Sequence, residues 1–228
     1  MQLAQPSGRI ASLTRAAAKA AARLRSSGRL FHPWGECFSG TINFALPDTA
    51  GVPEEHSCLV RLSKGAGLGA ALPDALGLAI RIESSNPWDI LMVSSGGTGR
   101  LGRMIIKPSA FWTAASYSTL MPYQRADGTL TWLHARPSAE RKIPARKESL
   151  TAAIEQSPLR FTLSSSNSQG EVHRIGELIL EQQVRTELSF DPGVNHANNL
   201  RLYPRWLAAF RSDAYSGSRQ SRGATLRA

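Results

Sequence analysis

The stretch "ALGLAIRIESSNPWDILMVSS", Ala75 to Ser95, decides the fold class. It holds two runs rich in Leu, Ile and Val, Ala75 to Glu83 and Trp88 to Ser95, around the turn-forming Ser84-Ser85-Asn86-Pro87. Both runs read as strands. Upstream, "CFSGTINFAL" from Cys37 alternates with period two, Pro47 to Pro53 is a loop, and "HSCLVRLS", His56 to Ser63, is a run of the same kind. Downstream, "RADGTLTWLHARP", Arg125 to Pro137, reads as a hairpin arm with Asp127-Gly128 as its turn. "LRFTLSSS" from Leu159 and "GELILEQQVRTELSF" from Gly176 add two more strands. Strands that follow strands at short spacing make an antiparallel sheet, and seven or eight of them can close into a barrel.

Helical signals lie mainly at the two ends. Ala11 to Ser26 is alanine-rich, Ser12 can cap it, and Arg15, Lys19 and Arg23 recur every four residues on one face. Leu200 to about Ser221 turns helical again, and "KPSAFWTAASYSTLM", Lys107 to Met121, is a helical candidate inside the sheet region. Pro137 to Glu148 is basic and breaker-rich, as in an exposed loop. The expected class is α+β: an antiparallel β-barrel flanked by N- and C-terminal helices. Residues 1–27 read as a basic N-terminal helix and residues 28–228 as the barrel domain with its closing helix.

Composition narrows the function classes. Lys and Arg number 27 against 17 Asp and Glu, a net charge of +10, which suits an anionic partner. The cations are dispersed and carry no helix-turn-helix, zinc-finger or RNA-binding pattern, so nucleic acid is not the expected partner. Cys37 and Cys58 are too few for a disulfide scaffold and fit a reducing cytoplasm. "TRAAAKAAARLR" is interrupted by charge where a secretory signal needs an apolar core, and no run approaches a membrane span. A cytoplasmic protein is expected, with a homo-oligomer left open.

Most local motifs fail in context. "GAGLGA", Gly65 to Ala70, fits a dinucleotide fingerprint, but the next element is the strand "LGLAIRI" rather than the helix that fingerprint needs. His32, His56, His134, His173 and His196 show no metal-ligand pairing, and no G-x-S-x-G elbow exists. Near the end, "FRSDAYSGSRQSRG" places Arg211 one helical turn before Tyr215. A guanidinium beside a phenol favours phenolate, an oxygen ligand for ferric iron. The same spacing also suits an amphipathic terminal helix with a packed tyrosine.

Four segments together resemble the haem-dependent catalase family. Arg29-x-x-His32-x-x-Gly35 is similar to the family's R-x-x-H-x-x-G, and Val60-Arg61-Leu62-Ser63 to its V-R-F-S. Asp74-x-x-Gly77-Leu78-Ala79-Ile80-Arg81-Ile82 resembles D-P-R-G-F-A-V-K-F, with Trp88-Asp89 where the family has N-W-D. Arg211-x3-Tyr215-x6-Arg222 matches R-x3-Y-x6-R, and all four stand in the family's order. The chain is much shorter than a full catalase and looks like the small catalase-related haem proteins of bacteria, some of which carry a phosphodiesterase label. The resemblance implies a b-type haem with Tyr215 as axial iron ligand, supported by Arg211. It implies His32 and Ser63 as catalytic residues and Arg29, Arg61 and Arg222 as partners of the haem propionates. Full catalases carry an asparagine after the W-D strand, where this chain has "LMVSSGGTG", Leu91 to Gly99; Ser94 or Ser95 is a candidate donor in its place. The expected function is therefore a haem peroxidase. It would act on hydrogen peroxide or organic hydroperoxides with an unidentified electron donor and have weak or no catalase activity. The alternatives are a non-catalytic haem-binding or haem-sensing protein and a phosphodiesterase.

Overall fold

The structure, a computed structural model, describes residues 34–45, 54–65, 72–186, 188–192, 194–197 and 199–204. Strands β1 (Trp34–Phe44), β2 (Glu54–Lys64), β3 (Leu76–Ile82) and β4 (Trp88–Ser95) follow one another as an antiparallel meander. They are followed by β5 (Ser116–Ser118), β6 (Tyr123–Gln124), β7 (Leu130–Pro137), the helix α1 (Lys147–Gln156), β8 (Leu159–Ser166), β9 (Val172–Val184) and β10 (Arg201–Leu202). Around the barrel the order is β1-β2-β3-β4-β5-β7-β8-β9, and β9 returns to β1. The β7–β8 pairing completes the circle, giving a closed antiparallel barrel of eight strands. Strands β6 and β10 extend the sheet at the start of β7.

An eight-stranded barrel encloses just enough space for its own side chains. Here Phe38, Ile42, Val60, Leu62, Leu78, Ile80, Tyr117, Phe161 and Leu178 fill it. Tyr117 meets Phe161 edge-on at 6.1 Å between ring centroids, and its hydroxyl donates to the Trp112 carbonyl at 3.1 Å. The void among Ile42, Ile80, Ile90 and Leu163 is about 10 Å³, room for one water.

Three expectations are corrected. Lys107 to Met121 is not a helix: it holds a 3-10 turn over Trp112–Ala114 and then β5. Its hydroxyls serve non-helical backbone, since Ser109 Oγ accepts from Phe111 N–H and Thr113 Oγ1 accepts from Ile143 N–H. The reading of Pro137 to Glu148 as an exposed loop fails at Ile143 and Ala145, which are buried, and at Lys147, where α1 begins. Arg141 donates to the Ala153 and Ser157 carbonyls, satisfying the end of that helix. The helix expected from Leu200 starts instead as β10, paired with β6, and its remainder from residue 205 lies outside the described residues, as does the helix expected over 11–26.

Candidate functional site

Alternation gives β1 to β4 two faces. Phe38, Val60, Ile80 and Ile90 form one cross-strand row and point into the barrel. The neighbouring rows, Gly35–Ser63–Gly77–Val93 and Cys37–Arg61–Ala79–Leu91, therefore lie on the outer wall. An outer face is ordinarily wet, yet Arg61 is only 9% exposed, Ser63 4% and Cys37 7%. This part of the wall is an internal surface of the protein.

Three of the four motif segments meet here. Gly35, from the first, pairs directly with Ser63 from the second, and Ser63 pairs on its other side with Gly77 from the third. A Cβ at Gly35 would stand 2.7 Å from Ser63 Cβ and 2.9 Å from Arg61 Cζ, so the guanidinium lies over bare glycine backbone. Only glycine admits that approach. The first row presents Gly, Ser, Gly and Val, a low surface spanning three inter-strand steps of about 4.8 Å each. Arg29, His32, Arg211, Tyr215 and Arg222 lie outside the described residues.

The fate of the two serine candidates is clear. Ser94 Oγ is buried and accepts the Leu76 N–H at 3.0 Å, completing the edge of the β3–β4 ladder. Ser95 Oγ donates its proton to the Ser116 carbonyl at 3.2 Å. Both hydroxyls serve the barrel.

Trp88-Asp89 has a structural task. Asp89 is fully buried and receives both arms of Arg81, Nε on Oδ1 and Nη2 on Oδ2, each at 2.7 Å. Its Oδ2 also accepts from Asp191 N–H at 2.6 Å and Asn195 Nδ2 at 2.9 Å. Arg81 donates further to the Ser189 carbonyl and sits over the Phe190 ring. The segment 188–197 is thereby fastened to the outer wall at the opposite end from Ser63, on the way to the C-terminal motif. The hairpin register brings residue 81 opposite residue 89, and the other partners lie a hundred residues further on, with no local signal in the sequence.

A second polar cluster escaped the sequence reading. Arg103, 3% exposed, lies over the Trp132 ring at 3.5 Å and donates to Ser166 Oγ at 2.9 Å and the Asn167 carbonyl at 2.7 Å. His134 Nε2 contacts the same Ser166 hydroxyl at 2.8 Å, while its Nδ1 and Arg103 Nε have no hydrogen-bond partner. Burial, aided by the Arg103 charge, lowers the His134 pKa to about 4, so the imidazole is neutral at pH 7. Among the described residues no group of three or more His, Cys, Asp or Glu converges as a metal site. Burial drives the Tyr117 phenol well above its ordinary range, which makes it a packed donor rather than a phenolate.

No protein-family model and no curated protein matches the chain. Among solved structures, a fungal catalase superposes on 84% of this chain with a TM-score of 0.64 at 12% sequence identity. The barrel is catalase-like. The chain spans 58% of the length of that catalase. No helix among the described residues is long and apolar enough to cross a membrane.

Proposed function

We propose that the chain is a haem-dependent peroxidase that reduces hydrogen peroxide or organic hydroperoxides at a tyrosinate-ligated b-type haem. The observation that carries this reading is the meeting of Gly35, Ser63 and Gly77 in one row, with the Arg61 guanidinium laid over Gly35. The wall fits the group: its side chains are small where a flat macrocycle would lie, and a buried guanidinium suits a propionate. His32 stands three residues before Gly35 in the sequence.

A ferric haem held by these residues would supply the redox chemistry for cleaving the peroxide O–O bond. The chain's own groups do the rest. Tyr215 holds the iron as phenolate, and Arg211 stabilises that negative charge. Arg29, Arg61 and Arg222 bind the two carboxylates and set the orientation. The His32 imidazole takes the proton from the near peroxide oxygen and returns it to the far one, while Ser63 Oγ holds the other ring nitrogen and fixes its tautomer. With Ser94 Oγ held on the Leu76 N–H and Ser95 Oγ donating to the Ser116 carbonyl, neither of these two serines stands in for the distal asparagine of full catalases. Peroxidase chemistry with little catalase activity follows from that.

The same engagement of Ser94 and Ser95 favours a second reading, a haem-binding protein without turnover. Peroxide-dependent dye oxidation by the haem-loaded full chain separates the two. The peroxidase reading expects turnover that His32→Ala abolishes with the Soret band retained, and that Tyr215→Phe abolishes with the band altered. A Soret band without turnover, unchanged by His32→Ala, leaves the binding protein.

A further inference from the structure

The loop after β4 carries an apolar patch that the proposed chemistry does not use. Leu101 is 77% exposed, Met104 and Ile105 58% each, and Ile106 50%. Four large aliphatic side chains within six residues of one loop are unusual on a soluble surface. The loop is firmly built. Gly96 N–H donates to the Gly102 and Ile105 carbonyls, and Lys107 N–H to the Ser94 carbonyl. Arg103, buried beneath, ties it to the β8–β9 turn through Ser166 and Asn167. Gly170 of that turn lies against the Arg100 side chain.

Exposed Arg100 and Lys107 flank the patch, and the chain carries +10 overall. The nearest acid on the β8–β9 turn, Glu171, is occupied by Asn167 Nδ2 at 2.7 Å. Aliphatic tips between cations match the interface of an anionic bilayer, where the apolar groups enter the acyl boundary and the cations meet lipid headgroups. We infer that the Arg100–Lys107 loop docks the protein peripherally on anionic membranes.

Co-sedimentation of the full chain with vesicles tests this, using phosphatidylcholine alone and phosphatidylcholine with about 30% phosphatidylserine. Binding is expected only to the anionic vesicles and should weaken with salt. Leu101→Ser with Ile105→Ser keeps every charge and should lower the partition constant at least about tenfold. Arg100→Ala with Lys107→Ala should lower it roughly twenty-fold. Val194→Ser, an exposed apolar residue elsewhere, should change nothing. If thermal melts show that the first variant is misfolded, Met104→Ser with Ile106→Ser replaces it. The proposal is overturned if the native chain ignores anionic vesicles. It is equally overturned if the serine variant binds like the native chain, since adsorption would then rest on net charge. A serine variant that falls from oligomer to monomer in ultracentrifugation would assign the patch to a second copy and also overturn it.

Discussion

Arg81 and Arg61 stand on the outer face of adjacent strands, two residues apart in register, Arg81 turned to Asp89 in the lower wall and Arg61 to Gly35 and Ser63 in the upper, and the protein treats them differently. Arg81 is met by a fully buried carboxylate, which also gathers Asp191 and Asn195. Arg61 lies over the bare backbone of Gly35, beside Ser63. The lower wall is sealed by the chain's own segment 188–197, with charge answered inside the protein. The upper wall carries small side chains beside a buried guanidinium that has a partner of its own, and in the proposed reading it is the surface that meets the haem. Burial on the same face thus serves stability at one end and, in the proposed reading, binding at the other.

The largest loss of stability from a substitution is expected where the contrast is strongest. Asp89→Ala leaves the partly exposed Arg81 guanidinium without its carboxylate and the Asp191 N–H and Asn195 amide without their acceptor, and should cost about 2–3 kcal/mol in urea denaturation, with amide exchange rising first in 188–192. A loss below about 1 kcal/mol would mean that the clamp is not what seals the lower wall. Next is pH. His134 has its folded pKa lowered to about 4, against about 6.5 in the unfolded chain. The unfolded state therefore binds the extra proton. The stability is fully present above pH 6.5 and declines as pH falls toward 4, by about 3 kcal/mol in all. His134→Gln should flatten that decline, and an unchanged slope would remove His134 as its source.

Smaller effects sharpen the upper wall. Gly35→Val forces Arg61 and Ser63 aside and should cost about 1–3 kcal/mol of stability while weakening haem binding. With Arg61→Ala, haem should leave roughly ten- to a hundredfold faster as a charge-assisted hydrogen bond is lost. If Arg61→Ala destabilised the fold as much as Asp89→Ala, the two ends of the wall would share one structural role.

The strands were legible because alternation and turn residues are local. "WDILMVSS" and "LRFTLSSS" coincide with β4 and β8 residue for residue. β5 was not, since alanines around Trp112 imitate a helix and its strand state comes from pairing with β4 and β7. Register explains why Gly35, Ser63 and Gly77, scattered over 43 positions, meet in one row. The Arg103–His134–Ser166 cluster had no sequence signal, because it joins a glycine-rich loop to strands 29 and 63 residues further on.

The most direct test of the central claim is a titration of the full chain with ferric haem, followed by its absorption spectrum. The account predicts a Soret band that saturates at about one haem per chain, weakened by Gly35→Val and altered by Tyr215→Phe. A band that never saturates, or one indifferent to both substitutions, would contradict it.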